Sequence, residues 1–218
     1  MAPRAHSLNR IFLFTTAYCY FLVAISSCTN APATTGKPIQ TKDYTIDITG
    51  IPNDTVLVSD RRLSVINGIY VLDNQKYSGI LKELYPNGTV KTYASLFQGM
   101  LHGLYKSFYE TGHPYEVRLY RNNLSTGRHY GFWPEGGILK FDYTYFEEKR
   151  EGLQKRWYKN GKPYLFTNYT DDHEDGLQQG WRENGKLYLN YVVKDGHRYG
   201  LQQSALCYTL IKQKIKSR

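Results

Sequence analysis

The sequence predicts an all-β chain of consecutive hairpins, and three observations carry that prediction. A glycine recurs at Gly79, Gly103, Gly127, Gly152, Gly176 and Gly200, in steps of 24, 24, 25, 24 and 24 residues. A second glycine follows the first five, at Gly88, Gly112, Gly136, Gly161 and Gly185, and large residues stand before it: Leu84-Tyr85, Phe108-Tyr109, Phe132-Trp133 and Trp157-Tyr158. No apolar residues recur at helical spacing over three turns, and glycine or proline interrupts every few positions. A fixed period in this range marks a repeat architecture, in which each unit buries its apolar side against its neighbours.

Residues 1–27 read as a signal peptide. Arg4 and Arg10 precede an apolar stretch from Ile11 to Ile25, too short for a membrane-spanning helix, which needs about 20 residues. Ile25-Ser26-Ser27-Cys28 resembles the lipobox of bacterial lipoproteins, which makes Cys28 the expected lipid attachment site. Residues 28–40, rich in alanine and threonine with Pro32 and Pro38, read as lipid anchor and tether. Cys19 leaves with the signal peptide, so Cys207 is the only remaining thiol and no internal disulfide is expected.

Residues 41–76 are expected to form N-terminal β-hairpins. Tyr44, Ile46 and Ile48 alternate with polar residues, Val56-Leu57-Val58 is a short strand, and Asn67-Gly68 joins Leu63–Ile66 to Ile69–Leu72. Residues 77–208 hold the repeats, and 209–218 a basic tail. Each repeat is expected to have a strand after the anchor glycine, a tight turn such as Lys159-Asn160-Gly161, a second strand, and a longer polar loop such as 147–151 or 171–175.

A two-residue Asn-Gly turn would pair Leu84 with Lys91, Phe108 with Tyr115, Phe132 with Leu139, Trp157 with Tyr164 and Trp181 with Tyr188. The same face would add Tyr130/Phe141, Leu104/Leu119 and Leu177/Val192. Pro86 and Pro134 count the other way, since proline suits the first position of a three-residue loop. In this register Phe108, Phe132, Trp157 and Trp181 supply the core. A second aromatic row, Tyr85, Tyr109, Trp133 and Tyr158, with Arg156 and Arg182 nearby, is left as a candidate binding surface.

The unit Gly152-Leu-Gln-Lys-Arg-Trp157-Tyr158-Lys-Asn-Gly161-Lys resembles the MORN-repeat variant of the YwqK-type, antitoxin-like family over about residues 62 to 206. That resemblance implies one elongated, twisted antiparallel sheet of consecutive hairpins. It also implies an alternative function, immunity against an exported toxin. Arg128 and Arg182 depart from the pattern, and the unit at Gly200 lacks its turn glycine, as a terminal cap does.

The chemistry expected is binding rather than catalysis. Asp171-Asp-His-Glu-Asp175 lacks the alternating ligands and glycine of a calcium loop, and no nucleophile elbow or phosphate-cradling loop is present, so no metal, cofactor or enzyme activity is expected. The formal charge of +9 falls mostly on the signal segment and the tail, which argues against nucleic acid. The sequence therefore predicts a lipid-anchored envelope protein that binds or scaffolds a protein or envelope polymer. Its expected membrane contact is the lipid on Cys28, on the periplasmic side of the outer membrane in a Gram-negative host.

Overall fold

A computed structural model describes residues 41–135 and 137–201. The signal segment, Cys28, the tether, Cys207 and the basic tail lie outside the described residues. After β1 (Thr55–Leu57), a meander of β2 (Leu63–Ile66), β3 (Ile69–Leu72) and β4 (Gln75–Lys76) forms a separate three-stranded sheet. The repeats follow as β5 (Gly79–Leu84), β6 (Val90–Phe97), β7 (Met100–Phe108), β8 (Pro114–Arg121), β9 (Leu124–Ser125), β10 (Gly127–Phe132) and β11 (Leu139–Phe146). They continue as β12 (Lys149–Arg150), β13 (Gly152–Trp157), β14 (Pro163–Thr170), β15 (His173–Trp181), β16 (Leu187–Lys194) and β17 (His197–Leu201). From β5 onward the strands pair antiparallel in chain order, and β1 adds a parallel edge along β5, making one 14-stranded sheet.

Two kinds of connection alternate, and the sequence reading had exchanged them. The Asn-Gly loops have three residues. Tyr85 N donates to Thr89 O at 2.8 Å and Gly88 N to Tyr85 O at 2.9 Å, with Gly88 at φ +82° and Pro86 in the first loop position. The same pattern recurs at Tyr109/His113, Tyr158/Lys162 and Arg182/Lys186, while Trp133/Ile138 spans one residue more. The polar stretches expected to be longer loops are instead two-residue turns. Asn122-Asn123, Glu147-Glu148 and Asp171-Asp172 all have both residues at positive φ, the conformation that matches the twist of a tight hairpin.

The three-residue loop shifts the register by one, and a bulge shifts it back. Leu84 pairs with Val90 but Glu83 pairs with Thr92, which leaves Lys91 over. Phe108, Trp157 and Trp181 accordingly face Pro114, Pro163 and Leu187, not the tyrosines expected, and Tyr130 faces Asp142, not Phe141. Phe132/Leu139, Leu104/Leu119 and Leu177/Val192 pair as expected. Two of the anchor glycines mark a second bulge: His102-Gly103-Leu104 lies opposite Ser95 alone, and Asp175-Gly176-Leu177 opposite Asn168 alone. Gly103 and Gly176 sit there at φ +92° and +77°, a region costly for residues with a Cβ.

The core lies elsewhere than in the predicted row. Phe108, Phe132, Trp157 and Trp181 are all only half-buried, and none of them belongs to the buried cluster. The buried cluster is Tyr77, Leu81, Ala94 and Leu96, at the first repeat, where Leu63, Tyr70 and Leu72 of the small sheet provide a second layer.

The alternating segment at Tyr44–Ile48 is not a strand. Asp43 and Asp47 accept hydrogen bonds from the backbone of Thr45 and Thr49, which turns the chain locally. The segment then acts as a strap across successive repeats. Asp47 O contacts His102, the carbonyls of Asp43 and Thr45 accept from Arg121, Tyr44 packs edge-on against Phe146, and Lys42 bridges Glu151 and Asp171. His102, expected at a loop surface, is thereby buried within β7.

Candidate functional site

Alternation along the strands sends a second set of tyrosines to the face opposite Phe108 and Trp157. β8 contributes Arg118 and Tyr120, β11 contributes Tyr143 and Tyr145, and β14 contributes Tyr169, with Arg150 and Arg156 beside them. Tyr143, Tyr145, Gln154, Arg150, Arg156 and Tyr169 line a cavity of about 250 Å³, and Arg150 and Tyr169 also wall a second recess of about 500 Å³. Burial raises the pKa of Tyr143 and Tyr145, so both phenols stay protonated.

Gln154 forms the base of the first cavity and explains the Gly-Leu-Gln motif. Its amide accepts from Thr144 N at 3.2 Å and donates to Thr144 O at 3.0 Å, where Glu151 N also donates, so it gives Thr144 N a partner beside the bulge. Gln178 does the same for Asn168, at 3.1 and 2.9 Å, and is fully buried. At the equivalent position of the repeat before, buried His129 contacts Leu119 O through Nε2 at 2.8 Å. Burial lowers the pKa of His129, which favours the neutral ring with Nε2–H donating.

The predicted row, Tyr85, Tyr109, Trp133 and Tyr158, runs along the edge of this tyrosine face and is half-buried, like the row expected to form the core. Its polar atoms tie each repeat to the next. Tyr85 donates to Phe108 O, Tyr109 to Phe132 O, Trp133 to Trp157 O and Tyr158 to Trp181 O, at 2.8 to 3.2 Å. Arg182 takes the position of the row in the next repeat and lies over the Tyr188 ring. Arg156 lies over the Tyr164 ring at 4.9 Å and has no ion-pair partner among the described residues.

The acidic run is held by cations. Asp171 pairs with Lys42 and Lys149, Asp172 with Arg150, and Glu174 with Arg198. Arg150 in turn covers the Tyr169 ring at 4.0 Å. Sequence reasoning missed Tyr143, Tyr145, Tyr169 and Arg150. A signal was present, because Tyr120, Tyr145 and Tyr169 each stand seven residues before an anchor glycine, so they recur with the repeat.

The MORN repeat variant family matches residues 101–122 and 150–170. Each match covers a hairpin closed by a three-residue loop, β7–β8 in the first and β12–β14 in the second. No curated protein and no solved structure is significantly similar to the chain. The chain therefore carries repeats of the MORN-variant type in the two segments matched.

Proposed function

We propose that this chain is a lipid-anchored envelope protein whose repeats present a binding or scaffolding surface to a protein or envelope polymer. The observation that carries the reading is the open tyrosine face. The hydroxyls of Tyr143, Tyr145 and Tyr169 have no hydrogen-bond partner among the described residues, and Arg156 stands beside them without a carboxylate. Aromatic rings with arginine are the composition that binding hot spots favour. Anchoring rests on the lipobox at Cys28. Fatty-acid labelling of wild type and Cys28→Ala tests it, and label kept by the variant refutes the anchor. Cross-linked capture from the native envelope tests the surface. Partners held by wild type are lost from Tyr143→Ser, and capture unchanged by that substitution refutes this face.

A further inference from the structure

Resting on that reading of the tyrosine face, we propose that the cavity between Arg150 and Arg156 is a subsite for one sugar ring of an acidic polysaccharide. Size gives the first argument. The cavity holds about 250 Å³, just below the range of roughly 300–1,000 Å³ typical of drug-sized ligands, so it suits one ring and not a folded peptide segment. Its lining gives the second. Tyr143, Tyr145 and Tyr169 supply ring surface and free hydroxyls together, which matches a pyranose that is apolar on its faces and hydroxylated at its rim.

Charge decides that the sugar is acidic. Arg150 is held by Asp172, but Arg156 has no carboxylate among the described residues, and none of the cavity's lining residues is acidic. Arginine's planar fork suits a carboxylate or sulfate oxygen pair. Continuity decides that the ligand is a polymer. Arg150 and Tyr169 wall both this cavity and the adjoining recess, where the carboxylates of Asp172 and Glu174 are ion-paired with Arg150 and Arg198. A chain leaving the first subsite therefore enters a second one across the Arg150–Tyr169 wall.

The test is calorimetric titration of the full chain with short oligogalacturonates, alongside uncharged dextran oligomers, sulfated dextran and anionic phospholipid vesicles. Saturable binding of the oligogalacturonate, with dextran at least tenfold weaker, is the expected result. Arg156→Gln should weaken it about tenfold, and Tyr145→Phe, which keeps the ring and removes the hydroxyl, should weaken it several-fold. Lys155→Gln is the control, because it removes the same charge from the same strand on the opposite face. Sulfated dextran that binds more tightly, with the same dependence on Arg156, identifies sulfate and not carboxylate as the acidic group and supports the subsite. Equal losses for Arg156→Gln and Lys155→Gln mean binding to net charge and overturn the proposal, as does no saturable binding, or binding to vesicles alone. If glycan binding fails while envelope capture still depends on Tyr143, the binding surface stands and only its saccharide ligand is wrong.

Discussion

Gln178 illustrates how single residues hold this sheet together. The bulge at Gly176 interrupts the pairing of Asn168, and from a fully buried position the Gln178 amide accepts from Asn168 N and donates to Asn168 O. Gln178→Ala should cost about 1–3 kcal/mol for each group left unsatisfied, read as a lower denaturation midpoint. His129→Gln is the converse test, since it places the residue of the later repeats in the same role. Protonated His129 is disfavoured by burial, so its native pKa lies below the usual 6.5. The unfolded chain then binds the extra proton, and stability is full above about pH 6.5 and falls as pH drops towards the lowered native value. The variant should match wild type at pH 7.5 and lose less stability at pH 5. An unchanged pH profile would show that His129 does not titrate in this window. The Gly-Leu-Gln motif was visible in the sequence, but its reason was not, because no spacing rule reveals that a side-chain amide bonds the facing strand's backbone at a bulge.

At the level of the hairpins, turn chemistry explains both what was legible and what was misread. The hairpin at Asn67-Gly68 and the positive φ of Gly161 followed from residue type. Glu147-Glu148 hid its tight turn because glutamate is uncommon at positive φ, and Asp171-Asp172 hid its own because an acidic run resembles solvated loop. Once those turns are placed, Gly103, Gly176 and Gly200 fall inside strands, whereas Gly79, Gly127 and Gly152 still open theirs. The two glycine classes can be separated by mutation. A Cβ at Gly161 meets nothing within 4 Å but φ is +77°, so Gly161→Val costs roughly 1–2 kcal/mol from backbone strain alone. Gly180 has no positive φ, yet a Cβ there lies 2.9 Å from the Tyr188 ring, so Gly180→Ala destabilises by crowding, by about 1–3 kcal/mol. Tyr188→Ala should rescue the second variant and not the first, in a double-mutant comparison of melting temperatures. Glu147→Asn should stabilise by up to about 1 kcal/mol, because asparagine tolerates φ +47° better than glutamate does.

Across the whole sheet, stability is distributed unevenly. The cluster of Tyr77, Leu81, Ala94 and Leu96 has a second layer from the small sheet, whereas the buried residues of the middle repeats are polar: Glu116, Thr126, His129 and Gln154. Repeat proteins add stability unit by unit and through neighbour contacts, so the middle repeats open more readily than the first. The strap offsets part of this weakness, because Lys42, Asp43, Tyr44 and Thr45 fasten positions from Arg121 to Asp171 that are far apart in sequence. Exposed ion pairs contribute little, about 0–1 kcal/mol, but the side chains of Lys42 and Glu151 are mostly covered, and the Tyr44–Phe146 contact adds aromatic packing. Native-state hydrogen exchange should therefore show the slowest amides in β5 and β6 and faster ones from β11 to β15. In the double variant Lys42→Ala, Tyr44→Ala, protection in β11–β15 should fall several-fold while β5 and β6 stay unchanged. A uniform fall along the sheet would mean that the repeats open as one unit and that the strap fastens no particular part of it.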